Sequence, residues 1–339
     1  MLVTGGAGRV GKAATQRLVQ NGWDVRVIGL EDGIDVPGVE FIKCDIMDYD
    51  AVREQMRGCQ AVVHLAAIAS PSLAVNHKVF DANASGTFHV FEAAAVEGIR
   101  KIAHASSINA LGCSYNLVDI NPRYFPVDEA HPTYTTDSYS FAKGVVEQIG
   151  EYYWRRDGIS SVALRFPAVV AQDTTKSEAY GERRRNAHRI LDELAALPPA
   201  ESRAKIADVK KRVLDYRKGR PLEYKDGNPN AYQRRYSEEP LWGIFAFDRF
   251  NYWAVVDERD SAQALEKGIT ADYEGAHTLF INDDHNHLCY DSKTLVRLFF
   301  PEVNESDIRV TGTNSLVSIE KARKLIGYEP EHSVVHWQG

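Results

Sequence analysis

Apolar and polar positions along the first 170 residues follow two periods in turn. Short apolar runs stand at Met1–Thr4, Asp24–Leu30, Val39–Cys44, Ala61–Ala67, Lys101–Ala105 and Ser160–Val170. Their length predicts strands, and the nearly unbroken run Ala61–Ala67 predicts one covered on both faces. Between these runs the apolar positions step by three or four. Val10, Ala14 and Leu18 share one face of a helix over Arg9–Asn21, and Val79–Glu97 and Ser138–Arg156 read as helices too. Strand and helix in alternation predict an α/β fold with a parallel sheet and right-handed crossovers. Pro167 removes a donor inside the sixth run, so that strand must break or reach an edge there.

The first strand runs straight into Thr4-Gly5-Gly6-Ala7-Gly8-Arg9-Val10-Gly11. Gly6, Gly8 and Gly11 satisfy G-x-G-x-x-G, and Gly5, Gly8 and Gly11 satisfy T-G-x-x-G-x-x-G. Glycine serves such a turn in three ways: the tight bend, the approach of backbone to a pyrophosphate, and the packing of helix on strand. The pyrophosphate then meets free N–H groups at the positive end of the helix. The context of strand before and helix after predicts a Rossmann-type, doubly wound dinucleotide fold. Gly29 stands where such folds carry an acid for the adenosine ribose, with Glu31 and Asp32 just beyond. Acids there favour NAD. Arg9 is a candidate to attract the extra phosphate of NADP. Asp45, at the end of the third strand, is placed to accept from an adenine amino group, or to cap the following turn. His64 reads as a packed histidine.

Ligands in parallel sheets bind beyond the carboxyl ends of the strands, so Gly5, Ala66, Ser106 and Ser107 are expected around one crevice. Tyr139 and Lys143, four apart in Tyr139-Ser140-Phe141-Ala142-Lys143, share a helical face. A phenol with an ordinary pKa of about 10 is a poor base at neutral pH, and a neighbouring ammonium favours its phenolate. Tyr139 would then take a proton from a substrate hydroxyl while hydride leaves the carbon, with Ser107 holding the same oxygen.

Beyond Ala171 the pattern changes. Ser177–Arg217 is rich in Arg, Lys, Glu and Ala, with helical spacing at Ile190, Leu191 and Leu194 and again at Ile206, Val209, Val213 and Leu214. Pro198-Pro199 divides the two helices. Arg183-Arg184-Arg185 reads as a solvated helix face in preference to an anion site. Gly219–Pro240 reads as loop, Trp253–Val256 as strand, Glu258–Gly268 as helix, Thr278–Ile281 as strand, Asp291–Phe300 as helix, Ile308–Val310 as a short strand and Ser318–Ile326 as a last helix. The resulting division is a dinucleotide domain over 1–170, to which 244–270 returns. A smaller, partly helical substrate region covers 171–243 and 271–339, including a helical insertion at about 171–240.

Bulk properties narrow the classes. The 339 residues suffice for one large α/β domain or a cofactor domain with a smaller companion. The formal net charge of −7 gives no electrostatic case for nucleic acid or an anionic membrane. No apolar run approaches the ~20 residues that cross a bilayer. The chain enters a strand at once, so no signal peptide is expected. Cys44, Cys59, Cys113 and Cys289 lack metal-site spacing and fit reduced thiols in a cytoplasmic enzyme. His285 and His287 have no neighbours that complete a metal set, so no metal is expected.

The order T-G-G-A-G-R-V-G, Asp45-Ile46, His64-Leu65-Ala66-Ala67, Asn83-Ala84-Ser85-Gly86-Thr87, Ser106-Ser107 and Y-S-F-A-K resembles the extended short-chain dehydrogenase/reductases, the NAD-dependent sugar epimerase/dehydratase group. The resemblance implies a catalytic trio of Ser107, Tyr139 and Lys143, with Lys143 also on the nicotinamide ribose. It implies a cofactor wall of Gly5, Gly8, Arg9, Val10, Gly11, Asp45, Ile46, Leu65, Ala66, Ala67, Asn83 and Ser106, with Phe166 near the nicotinamide amide. It further implies NAD, with NADP as the alternative, a sugar-like substrate, and a homodimer through the helices around Asn83–Glu97 and Ser138–Arg156. Two departures steer the activity. Ser107-Ile108-Asn109 stands where dehydratases carry T-D-E, which speaks against dehydration. Phe166-Pro167-Ala168 follows Leu164-Arg165 where nucleotide-sugar enzymes place an asparagine for the diphosphate. An oxidoreductase acting on a secondary alcohol or carbonyl is therefore the first expectation, and a sugar epimerase the second. A non-catalytic cofactor sensor is a third.

Overall fold

The computed structural model describes residues 1–224 and 239–336. Its central sheet has seven parallel strands: β1 Leu2–Thr4, β2 Arg26–Gly29, β3 Glu40–Lys43, β4 Val62–His64, β5 Lys101–Ser107, β6 Ser160–Phe166 and, far along the chain, β9 Ala276–Phe280. Their order in space is β3-β2-β1-β4-β5-β6-β9. The chain builds outward from β1 to β3, then returns to begin again at β4, so a crevice opens beyond the carboxyl ends of β1 and β4. Val3 of β1 stands in register with both Val27 of β2 and Val63 of β4.

Alternation along each strand feeds two layers. Leu2, Ile28, Val62 and Ile102 pack with α2 (Tyr49–Met56), α4 (Gly86–Val96) and α5 (Ser138–Asp157). Their neighbours Val3, Val27, Val63 and Ala103 pack with α1 (Arg9–Gln20) and the helix Glu258–Thr270. Helices on both faces explain why the run through β4 is apolar at nearly every position.

The sixth apolar run does break at Pro167. β6 ends at Phe166, and β7 (Ala168–Val170) leaves the main sheet to pair with β8 (Val255–Asp257). The strand expected at Thr278–Ile281 is β9. It lies on the edge of the main sheet beside β6, with Ala163 opposite Thr278. The stretch from 271 onward therefore serves the main sheet as well as the second lobe. The helix expected over Val79–Glu97 is interrupted. α3 (Asn76–Phe80) passes through a π turn, Asp81–Ser85, before α4 begins. Ile308–Val310 forms no strand; Ile308 makes an isolated bridge to Phe125.

The second lobe has its own core. α6 (Glu178–Ala196) and α7 (Pro199–Lys218) form the helical insertion, divided where Pro199 takes the first helical position. Leu191, Leu194, Ile206, Val209 and Val213 pack with Trp242, Phe245, Trp253, Leu295 and Phe299. The loop expected over Gly219–Pro240 falls mostly at 225–238, outside the described residues. Among the described residues no helix is long and apolar enough to cross a membrane.

Candidate active site

A cavity of about 1130 Å³ runs along the carboxyl ends of β1, β4 and β5 and out under α6. The glycine turn forms its floor. Gly5 sits at φ 68°, and a Cβ there would lie 2.6 Å from the backbone nitrogen of Ala66. A Cβ on Gly11 would lie 2.2 Å from the carbonyl oxygen of Gly5. Gly8, where α1 begins, is exposed toward the cavity and has no such constraint from the protein. Two glycines thus close the turn and the third leaves it open, at the end of a 12-residue helix whose first N–H groups seek an anion.

The opposite wall is the end of β4, and a buried polar chain sets its position. Thr4 Oγ1 accepts from the N–H groups of Leu65 and Ala66 at 3.2 and 3.1 Å. The Thr87 hydroxyl donates to the Asn83 carbonyl at 2.6 Å, so it accepts from His64 Nε2 at 2.9 Å. His64 Nδ1 then accepts from the Thr4 hydroxyl at 2.7 Å. The imidazole is neutral in this arrangement, and burial holds its pKa well below the ordinary value. His64 fixes the strand end and carries no chemistry.

The reacting groups come from β5 and α5. Ser107 is the last residue of β5; its Oγ accepts from Asn109 N at 3.2 Å and Asn109 Nδ2 at 3.3 Å. Asp137 caps α5 by accepting from Ser140 N at 2.8 Å, which puts Tyr139 in the first turn and Lys143 one turn on. The Tyr139 phenol faces the Ser107 hydroxyl across the cavity. Lys143 Nζ lies 5.8 Å from the centre of the Tyr139 ring and donates to the Ala105 carbonyl at 2.8 Å. All three line the cavity. Burial raises the Tyr139 phenol above its ordinary pKa, and the Tyr115 ring beside it adds to this; the nearby Ser107 hydroxyl pulls the other way. Burial lowers Lys143 to about 8, against the pull of Glu147. Within the protein alone the phenol is neutral. A positive charge set against it shifts it toward the phenolate.

The cofactor residues expected from sequence lie along this cavity, with one exception. Gly5, Gly8, Arg9, Val10, Gly11, Asp45, Ile46, Leu65, Ala66, Ala67, Ser106 and Phe166 are all in its lining. Asn83 is not. It is 1 % exposed, and its amide is consumed by Ile68, accepting from the N–H at 2.7 Å and donating to the carbonyl at 3.0 Å. The π turn that breaks the helix carries Asn83 into this position, so it shapes the loop after β4 from behind. Ser106 reaches the cavity, but its hydroxyl turns back to Glu147 Oε1 at 2.6 Å, where Arg165 also binds in bidentate fashion at 2.8 Å. Arg9 Nη1 donates to the Val169 carbonyl at 2.7 Å. Asp45 keeps a turn bond, accepting from Met47 N at 2.9 Å, while lining the cavity. The acid missing at Gly29 has a substitute. The Glu31 carboxylate folds back over Gly29, so close that a Cβ at 29 would lie 2.4 Å from it.

The far end holds residues that sequence reading missed: Tyr115, Tyr180, Asp248, Asn251 and His287, with Arg183 among them. Arg183, read as part of a solvated face, instead pairs with Asp248 at 2.7 Å. No local motif marks these positions, because each faces the cavity only through the packing of the second lobe.

The NAD dependent epimerase/dehydratase family matches over residues 1–196, and the chain belongs to it. The family's cofactor is NAD, and the glycine turn, open at Gly8 and lined by Glu31 and Asp45 at the β2–β3 end, fits it. A putative UDP-glucose 4-epimerase of Methanocaldococcus jannaschii is 33 % identical over 191 residues, which cover 54 % of this chain and 57 % of that one. An L-arabinose 1-dehydrogenase (NAD(P)(+)) of Haloferax volcanii is 30 % identical over 182 residues, covering 52 % of this chain and 69 % of that one. A short-chain dehydrogenase/reductase superfamily protein of Agrobacterium tumefaciens, solved with bound NAD, has the same fold. It superimposes with a TM-score of 0.61 at 22 % identity over 98 % of this chain and 93 % of its own. The matched stretch spans little more than half of the archaeal epimerase.

Proposed function

We propose that this chain is an NAD-dependent oxidoreductase that moves hydride between nicotinamide and a secondary alcohol or carbonyl of a sugar-like substrate. The observation that carries it is the meeting of Ser107, Tyr139 and Lys143 in one cavity with the glycine turn. Bound NAD supplies the hydride acceptor. Ser107 holds the substrate oxygen by hydrogen bond, and Tyr139 takes the hydroxyl proton as the carbon–hydrogen bond breaks. Lys143 stabilises by its charge the phenolate form of Tyr139 that accepts this proton, and the transfer leaves a neutral phenol. Glu31 favours NAD over NADP, since a further phosphate on the ribose meets its carboxylate at the β2 end. Gly5, Gly8 and Gly11 receive the pyrophosphate, and Phe166 lies by the nicotinamide.

The test is a panel of free and nucleotide-linked sugars with NAD, followed by the absorbance of reduced nicotinamide. Net NADH with at least one free sugar is expected, and Tyr139→Phe should lower the rate by about 10²–10⁴-fold while NAD affinity holds. Interconversion of sugars without NADH would make the chain an epimerase instead. A biological function unchanged in Tyr139→Phe would leave a cofactor sensor.

The same reading includes a homodimer and a cytoplasmic setting. Phe88 and Val96 on α4 and Phe141 and Tyr152 on α5 are exposed apolar side chains on the two helices expected to pair. Light scattering that finds only monomer removes the dimer. The four cysteines are free thiols, which suits a reducing compartment.

A further inference from the structure

The end of the cavity under α6 is a wall made by three remote segments. Tyr180 and Arg183 come from α6, Asp248 from the π turn Ile244–Asp248, and His287 from the loop after β9. Asp248 is 5 % exposed and accepts at Oδ1 from Arg183 Nη2 at 2.7 Å, and His287 Nε2 lies 3.2 Å from the same oxygen. The Tyr180 hydroxyl lies 3.2 Å from His287 Nδ1.

The backbone holds this carboxylate in place. Tyr252 and Trp253 both adopt the left-handed conformation, at φ 53° and 51°, which bulky aromatics rarely do. Trp253 N donates to the Asp248 carbonyl at 2.8 Å. Strain of this kind persists only where the surroundings impose it, and a π turn is a frequent companion of functional sites.

Among the described residues, the arginines and lysines that line the cavity are Arg9, Lys143 and Arg183. Arg9 is bonded to β7 and Lys143 lies beside Tyr139. Of these three Arg183 is the one at the far end, and the buried Asp248 carboxylate is set against its charge. We propose that this charge-paired wall selects a neutral polyhydroxy substrate and rejects a sugar that carries a carboxylate or phosphate. The inference rests on the sugar-oxidoreductase reading of the site. A neutral hydroxyl meets the phenol, the imidazole and the ion pair without changing the local charge. An anion drawn to Arg183 meets Asp248 as well, and that carboxylate is fixed from both its side chain and its backbone.

Matched pairs separate the alternatives: glucose with glucuronate, galactose with galacturonate, and glucose with glucose 6-phosphate. Each is measured by calorimetric Kd on the NADH-loaded protein and by KM with NAD. The neutral member should bind at least about 10-fold tighter than its anionic partner. Asp248→Asn removes the carboxylate that repels an anion and should move the ratio about 100-fold toward the anion. Arg183→Met, with the carboxylate retained, should move it the other way. Each ratio is taken within one preparation, so a lost folded fraction cancels, and NADH affinity counts the folded sites. A wild-type preference for the acid or phosphate overturns the proposal. So does an unmoved ratio in both variants, or a failure of every pair to bind. Binding ratios as expected with no NADH formed from any sugar would instead remove the oxidoreductase reading and leave the selectivity standing.

Discussion

The two ends of the cavity are made of different material. The cofactor end is chiefly backbone from one contiguous stretch, Gly5 to Gly11, closed by approaches that admit no side chain. The substrate end is chiefly side chain, and its members are far apart in the chain; Tyr180 and His287 meet across 107 positions. The first kind of surface depends on local conformation. The second depends on the whole second lobe being packed. A substitution at the cofactor end should therefore act on the turn itself, and one at the substrate end on selectivity.

The sharpest way to break this contrast is Gly11→Ala. The added methyl group lies 2.2 Å from the Gly5 oxygen and 2.6 Å from Gly6 Cα, both backbone, so the turn must open. Overpacking of this sort costs about 1–3 kcal/mol, and NAD affinity should fall by at least about 100-fold as the N–H groups lose their common direction. Gly8→Ala is the control. Its methyl group finds Gly5 O at 3.5 Å, an ordinary contact. Thermal stability should be kept while NAD affinity drops. Equal stability loss in the two variants, read by thermal unfolding, would mean that the turn is not closed by Gly11.

This difference in material also decided what could be read from the residues alone. The glycine turn, the apolar β4 run and the Tyr139–Lys143 spacing each announce themselves within a dozen positions, because the signal and the structure share one period. β9 did not announce its place. A short apolar run looks the same on a second lobe as on the edge of the main sheet, and only pairing with β6 tells them apart. Asn83 belongs to a helical pattern whose π turn is invisible as periodicity. Arg183 shows the same limit more strongly. Three successive arginines on a helix resemble a solvated face unless the partner, Asp248, is known to lie 65 positions away.

A second prediction concerns the boundary between the two ends, where Lys143 sits. Burial lowers its pKa to about 8, from an ordinary value near 10.5. Below pH 8 the folded protein carries a buried ammonium at a free-energy cost that the unfolded chain does not bear. Between pH 8 and 10.5 the unfolded chain is the one that holds the extra proton, so stability rises with pH across that window. Lys143→Met removes the charge with little change of volume. It should stabilise the protein by ~2–3 kcal/mol at pH 7, less the lost bond to Ala105, with the gain fading as pH approaches 10.5. Turnover should be lost in the same variant. A lower melting temperature at pH 7, or a gain that grows above pH 8, would show that Lys143 is held by attraction and not against burial.

The smallest effect tests which residues set the choice of nicotinamide cofactor. Arg9 stands in the glycine turn and was a candidate to hold the NADP phosphate. Its guanidinium instead spans the groove to the Val169 carbonyl, an exposed bond of the kind worth about 0.5–1.5 kcal/mol. Arg9→Gln should therefore weaken NAD and NADP alike, by less than about 10-fold, and leave their ratio within about two-fold. Glu31 is the opposite case. It lies over Gly29 at the cavity's β2 end, where a ribose phosphate would face it. Glu31→Ser should raise the use of NADP relative to NAD by about 10-fold or more through lost repulsion, and the gain should shrink at high salt. If Arg9→Gln shifts the ratio and Glu31→Ser does not, recognition of the ribose sits on the glycine turn after all, and the cofactor end reads its ligand by side chain as the substrate end does.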